Sequence, residues 1–120
     1  MLITIEDDGV LRIYRSVEEA VTDVEALDAE DVFRRIYDET GRCYSISWIR
    51  PNQYGRFMAQ NGTYTLVPDG RIDVAGLKNM IDEAEIVEPE SSEPWLRELA
   101  ASIGNPLSNQ LTVGLVAARN

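Results

Sequence analysis

The clearest structural signal in this chain lies in residues 32–49, which read VFRRIYDETGRCYSISWI. Two runs rich in aromatic and β-branched residues, 32–37 and 43–49, flank the sequence DETG at residues 38–41. Aromatic and β-branched side chains are enriched in strands, whereas Asp and Gly are typical of turns. The stretch therefore predicts a β-hairpin.

A second hairpin is predicted before this stretch. Residues 2–5 and 10–14 suit strands, and the sequence EDDG at residues 6–9 supplies the Asp-Gly pair of a tight turn. The sequence thus predicts that strands pair through short local connections, as in an antiparallel sheet.

A third strand pair is predicted after a polar loop at residues 50–56. Residues 57–60 and 63–67 flank Asn61-Gly62, a frequent two-residue hairpin turn. The sequence Pro68-Asp69-Gly70 is expected to end the second of these strands.

Three helices are predicted from their caps and their apolar spacing. Ser16 forms a capping box with Glu19, Asp73 can cap a helix that reaches Ala84, and Ser92 or Glu93 opens a third helix with Pro94 in its first turn. The acidic segment 85–92 is interpreted as a linker. The first helix has its apolar positions at Val17, Ala20, Val21, Val24 and Leu27.

The order of these elements predicts the fold class. Strands come mostly first and helices mostly last, which favours a single α+β domain over residues 1–120, with an antiparallel sheet of about five to six strands built from hairpins and two to four helices packed on one face. Residues 107–118 suit a helix or a strand, and we favour a helix. The predicted core comprises Ile36, Tyr44, Ile46, Leu66, Leu77, Ile81, Leu99 and Ile103.

The composition is that of an ordinary globular protein with a strong negative charge. Of the 120 residues, 44% are hydrophobic and 27% are charged, and the net charge is −10. Because DNA and RNA are bound mainly by cations that neutralise phosphates, direct nucleic-acid binding is disfavoured, and an anionic membrane surface would also repel the chain. Without a signal peptide or a long apolar run, we expect a cytoplasmic protein whose partner is a basic protein.

The sequence offers few groups for catalysis. It contains no histidine, which removes the commonest general base and metal ligand, and it has no phosphate-binding glycine loop. Cys43 stands alone and is expected to be buried on a strand. We therefore predict no catalytic residue, no metal site and no cofactor, although catalysis by paired carboxylates stays open.

Acidic residues are clustered along the chain and supply the candidate binding surface. Residues 16–31 hold seven acids and no base, whereas residues 32–72 hold six arginines and three acids. Such a cluster can be a solvated face, or it can be a docking surface that steers a basic partner. The acids assigned to partner binding are Glu18, Glu19, Asp23, Glu25 and Asp28.

Aromatic side chains are the candidate anchors of such an interface, since aromatic residues and arginine dominate binding hot spots. Trp48 and Tyr54 are predicted to contact the partner, and Phe57 is a further candidate. Tyr54 lies in the breaker-rich loop and is expected to be exposed. Trp95 belongs to the apolar face of a helix and is expected in the core.

Two segments of the sequence resemble small immunity proteins of bacterial polymorphic toxin and contact-dependent inhibition systems. The first runs from Ser16 to Trp48 and joins the capped acidic helix to VFRRIYDETGRCY. The second is GTYTLVPDG at residues 62–70 with the following helix at 73–84. The resemblance implies a cytoplasmic inhibitor without catalytic activity, encoded beside its toxin, that occludes the active site or an essential surface of that toxin.

Two other classes of function remain open from the residues themselves. The first is an acidic adaptor or nucleic-acid mimic that binds proteins other than a toxin. The second is an enzyme or small-ligand protein, which a deep pocket with converging polar groups would favour. The identity of the toxin and the oligomeric state are not specified by the sequence.

Overall fold

The computed structural model describes residues 1–6 and 8–103 of the chain. The segment 107–118, for which a helix is predicted, lies outside these residues. The strands are β1 Leu2–Ile5, β2 Val10–Tyr14, β3 Arg35–Asp38, β4 Arg42–Arg50, β5 Gln53–Tyr54, β6 Ala59–Gln60, β7 Thr63–Ile72 and β8 Ile86–Glu88. The α-helices are α1 Val17–Asp23, α2 Ala29–Val32, α3 Val74–Glu83 and α4 Glu93–Ile103, and a 3-10 turn covers Glu90–Ser92.

Six strands form one mixed sheet in the order β7-β4-β3-β1-β2-β8, and β5 pairs with β6 in a small second sheet. This confirms the α+β class, and the predicted strand number holds for the main sheet. The sheet is antiparallel except at one edge, where β8 pairs with β2 in parallel. The prediction of a linker over 85–92 was wrong at β8, because a three-residue strand between acidic residues carries too little periodicity to be recognised.

The two predicted hairpins of the central sheet are confirmed. β1 pairs with β2, and β3 pairs with β4 through the turn at residues 38–41. Gly41 has a φ of +87°, a conformation that glycine adopts readily, and its N–H donates to the carbonyl of Asp38 at 3.0 Å. The carboxylate of Asp38 accepts hydrogen bonds from the N–H of Thr40 and from the N–H of Arg42.

The third predicted strand pair was wrong. β6 pairs with β5, and β7 pairs along its length with β4. β7 does not end at Pro68 but continues through an irregular register to Ile72. Asn61 and Gly62 do not close a hairpin, because both form hydrogen bonds with residues distant in sequence.

The predicted N-caps Ser16 and Asp73 are confirmed, whereas the end of the first helix is not where its spacing predicts. The hydroxyl of Ser16 accepts from the N–H of Glu19 at 3.1 Å, and the carboxylate of Asp73 accepts from the N–H of Gly76 at 2.9 Å. α1 ends at Asp23 and not at Leu27, since Val24 becomes extended and its carbonyl accepts a 2.6 Å hydrogen bond from the buried hydroxyl of Tyr64. The short α2 was not predicted.

Two hydrophobic clusters lie on opposite faces of the sheet. Alternate residues of β1 divide between them: Ile3 packs with α3 and α4, and Leu2 packs with α1 and α2. The prediction of helices on one face was therefore wrong, because both faces of the central strands are apolar. Of the predicted core, Ile36, Leu66, Leu77 and Ile81 are buried, while Tyr44, Ile46, Leu99 and Ile103 are half-buried against the clusters.

Candidate functional site

Three of the five acids predicted to bind a partner converge on one cleft. Asp23, at the end of α1, and Glu25 and Asp28, in the loop that follows, line a depression of about 390 Å³ together with Glu6, Arg12, Val24 and Val32. We call this depression the acidic cleft. Glu18 and Glu19 lie outside it, on an exposed surface that also includes Asp23. The five acids thus form one continuous surface that is linked through Asp23.

The charges inside the acidic cleft are only partly balanced. Arg12 pairs with Glu6 and, at 3.2 Å, with Glu88 on the neighbouring strand. The carboxylates of Glu25 and Asp28 make no hydrogen bond or ion pair with other residues that the structure describes. These two carboxylates are therefore available to accept hydrogen bonds from a partner.

Asp23, a further acid of the acidic cleft, is held in place by Tyr14. The hydroxyl of Tyr14 donates to the carboxylate of Asp23 at 2.7 Å. Burial raises the pKa of Tyr14 above its ordinary value, and the hydrogen bond to Asp23 raises it further. Tyr14 therefore remains a proton donor, which fixes the orientation of the Asp23 carboxylate while leaving that residue exposed.

Residues 53–60 form a short projection that we call the arm. β5 and β6 make its two strands, and the N–H of Gly55 donates to the carbonyl of Met58 at 2.8 Å. The arm exposes 74% of Tyr54, 90% of Phe57 and 69% of Met58. Three large apolar side chains this close together form an exposed apolar patch, and such patches mark interaction sites.

The structure places the predicted anchors in different environments. Tyr54 is exposed on the arm as predicted, and Phe57 lies next to the guanidinium of Arg56, 5.5 Å from the ring centroid. Trp48 is half-buried against the hydrophobic cluster under α1 and α2, and its ring centroid lies 5.7 Å from that of Tyr64. Much of its contribution is therefore to packing. Met58 was missed by sequence reasoning, although an apolar residue among turn-forming residues could have indicated it.

Two asparagines tie the base of the arm to the loop that lines the acidic cleft. The amide of Asn52 donates to the carbonyl of Ala26 at 2.9 Å and accepts from the N–H of Gly62 at 2.8 Å. The amide oxygen of Asn61 accepts from the N–H of Leu27 at 2.8 Å. The loop between α1 and α2 therefore contributes both to the acidic cleft and to the support of the arm.

Glycine is required at the base of the arm. A Cβ on Gly62 would lie 2.1 Å from the carbonyl oxygen of Arg50 and 2.5 Å from the carbonyl carbon of Pro51. The two chain segments that enter and leave the arm therefore approach each other closely only because residue 62 has no side chain.

Comparisons with protein-family models, with curated proteins and with solved structures gave no match. Within residues 1–6 and 8–103, no three Cys, Asp or Glu side chains are grouped so that they could hold a metal ion. In the same part of the chain, no helix has the length and apolar character needed to cross a membrane.

Proposed function

We propose that this chain is an immunity protein that binds and neutralises a cognate bacterial toxin in the cytoplasm, without catalysis and without a cofactor. The observation that supports the proposal best is the connection of the acidic cleft to the exposed apolar arm through one loop. An inhibitor needs a surface that attracts its target and a set of anchors that hold it, and this chain presents both side by side.

The acidic cleft is suited to a basic side chain of the partner. Four carboxylates and one guanidinium line it, and two of those carboxylates have no partner among the described residues. An arginine or lysine inserted there would form charge-assisted hydrogen bonds with Glu25 and Asp28. Enzymes that bind nucleic acid carry such cations, so we expect the toxin to be a basic nuclease or another nucleotide-handling protein.

The net charge of −10 adds long-range attraction to these contacts. Complementary charge mainly accelerates encounter, whereas buried apolar anchors mainly slow dissociation. The exposed acids of α1 and the apolar residues of the arm should therefore affect different rate constants. This difference makes the proposal testable by binding kinetics.

The first experiment measures association with the product of a toxin-like gene adjacent to the gene of this chain. Reversal of Glu18 and Glu19 together to lysine should slow association about tenfold at low salt and flatten its dependence on ionic strength, because screening removes the same attraction. The matched control reverses Glu90 and Glu98, which are also exposed but line neither the acidic cleft nor the neighbouring surface of Glu18, Glu19 and Asp23. An equal loss with the control pair would show that only net charge matters and would contradict the assigned surface.

The second experiment tests the arm as the anchor. Phe57→Ala should increase the dissociation rate by tenfold or more, since burial of one such side chain contributes about 1.5–3 kcal/mol. Ile86→Ala is the control, because Ile86 is an exposed apolar residue of β8, outside the arm. Unchanged dissociation of the Phe57 variant would exclude the arm from the interface.

Survival of cells that express the toxin provides the biological readout. The immunity function predicts protection by the natural chain and weaker protection by the Phe57→Ala variant. If the chain neither binds the adjacent gene product nor protects cells, the immunity function is wrong, and an adaptor or nucleic-acid-mimic role for the same surface takes its place.

A further inference from the structure

A second cleft lies where β3, β4 and β7 meet the start of α3. It has a volume of about 460 Å³, and three arginines line it, Arg34, Arg35 and Arg71, together with Tyr37, Tyr44 and Asp73. We call it the basic cleft. Eleven lysines and arginines are present in the whole chain against 21 acids, so three arginines around one depression are a strong local departure from the overall charge.

The acids near the basic cleft are already engaged within the protein. Asp73 accepts from the N–H of Gly76 at 2.9 Å, and its other oxygen accepts from the hydroxyl of Tyr37 at 3.4 Å. Asp69 pairs with Arg71 at 2.6 Å and accepts from the hydroxyl of Ser45 at 2.6 Å. The carboxylates of Asp69 and Asp73 are therefore already bound by groups of the protein itself.

Arg35 is the guanidinium that is free to bind a ligand. Its side chain makes no hydrogen bond or ion pair with the residues that the structure describes, whereas Arg34 donates to the carbonyl of Asp31 at 3.4 Å. Burial raises the pKa of the Tyr37 hydroxyl, Asp73 raises it further, and Arg35 acts in the opposite direction. Tyr37 also interacts electrostatically with Arg71. Arg35 and Arg71 both line the basic cleft together with Tyr37.

The first turn of α3 adds to the positive potential. Gly76 lines the basic cleft, and α3 has ten residues, so the partial positive charge of its N-terminus lies next to the arginines. Asp73 satisfies one amide of this turn. The arrangement of arginine side chains beside a helix N-terminus is one that proteins use to hold phosphate groups.

We propose that the basic cleft binds a small phosphorylated molecule, with its phosphate held between Arg35 and Arg71. The guanidinium groups that line the basic cleft attract a phosphate dianion, and the planar guanidinium of Arg35 can donate two hydrogen bonds to adjacent phosphate oxygens. The cleft falls within the range of about 300–1,000 Å³ that is typical of sites for small ligands. This site does not include the acidic cleft or the arm, so it is independent of the proposed immunity function.

The test is a titration of the full chain with inorganic phosphate at constant ionic strength, in which the NMR chemical shifts of the backbone amides are recorded. We expect saturable shifts at Arg35, Arg71 and residues 73–76. Arg35→Gln should weaken the apparent affinity at least tenfold, and Arg35→Lys should weaken it less. Arg56→Gln, which removes the same charge from the arm, should leave the affinity unchanged.

Three results would overturn the proposal. These are shifts that do not saturate, shifts that chloride or acetate produces equally well, and an Arg35→Gln variant that binds phosphate as tightly as the natural chain. Should Arg35→Gln disturb the fold, the titration of the natural chain decides by itself: saturable shifts confined to the basic cleft support the site, and absent or dispersed shifts reject it.

Discussion

At the scale of single residues, the turn at residues 38–41 depends on the carboxylate of Asp38. This buried side chain accepts from the N–H and the hydroxyl of Thr40, from the N–H of Arg42 and, at 3.4 Å, from the hydroxyl of Tyr44. Burial by itself would raise the pKa of Asp38, but the hydrogen bonds from Thr40 and Arg42 outweigh that effect and lower the pKa below its ordinary value. Asp38 therefore stabilises the fold in its ionised form.

Asp38→Asn should lower the free energy of unfolding at pH 7 by about 1–3 kcal/mol, since an amide cannot accept all of these hydrogen bonds. A lowered pKa in the folded state gives stability that is present above the ordinary value of 3.8 and is lost as the pH falls below it. The difference between the natural chain and the variant should therefore shrink below about pH 4. Urea unfolding at a series of pH values measures it.

The control for this prediction is Asp31→Asn, because Asp31 is exposed and its carboxylate makes no hydrogen bond to a described residue. Its stability at pH 7 should stay within about 0.5 kcal/mol of the natural chain. A constant difference between Asp38→Asn and the natural chain from pH 7 to pH 3 would show that the ionised carboxylate is not the stabilising species.

At the scale of secondary-structure elements, the arm shows how a local turn signal can be overridden. Asn61-Gly62 is a favourable hairpin turn by sequence, yet the side chain of Asn61 accepts a hydrogen bond from the N–H of Leu27. Gly62 lets its own backbone approach the carbonyl oxygen of Arg50 closely. β7 consequently pairs with β4, its long partner, and the chain before it folds back on itself as β5 and β6. Long-range hydrogen bonds and the pairing of two long strands outweigh the propensity of one dipeptide.

Asn52→Ala should loosen the arm without unfolding the domain. The substitution leaves the carbonyl of Ala26 and the N–H of Gly62 without their partner, which should cost about 1–2 kcal/mol and increase amide hydrogen exchange in residues 53–60. Hydrogen exchange followed by mass spectrometry measures the change by segment.

Asn79→Ala is the matched control, because Asn79 is exposed on α3 and makes no side-chain hydrogen bond to a described residue. It should leave exchange in the arm unchanged. If Asn52→Ala also leaves hydrogen exchange in residues 53–60 unchanged, the hydrogen bonds of Asn52 do not hold the arm in place.

At the scale of the whole molecule, the sheet separates two hydrophobic clusters that share the same strands. The cluster under α3 and α4 contains fully buried Leu77, Met80 and Leu96, and the cluster under α1 and α2 includes Phe33 and Tyr64. Because β1, β2 and β3 contribute side chains to both clusters, loss of either should weaken the entire domain.

Leu77→Ala should destabilise the protein by about 2–5 kcal/mol, whereas Leu99→Ala should cost less than about 2 kcal/mol. Leu77 is completely enclosed, whereas Leu99, although predicted in the core, is only half-buried where it packs against the same cluster. Urea unfolding of the two variants, which remove the same atoms, gives the comparison. Equal losses would contradict the assigned position of the first cluster.

Much of the local structure follows from the sequence itself. Ser16 and Asp73 cap their helices as predicted. The Asp-Gly turn connects β1 to β2, and the Thr-Gly turn connects β3 to β4. The acids of α1 are exposed, as their spacing predicts. These features depend on bonds between residues a few positions apart, so a short stretch of chain contains the information that forms them.

The tertiary structure alone decided how the distant parts come together. The end of α1 at Asp23, the parallel pairing of β8, the helices on both faces and the joining of the arm to the acidic cleft all depend on contacts across long sequence separations. The hydroxyl of Tyr64 reaches Val24 across 40 positions, and no periodicity in either segment predicts that bond. Such contacts form because burying both faces of the sheet and satisfying its polar groups lowers the free energy of the whole chain, which no local stretch can specify.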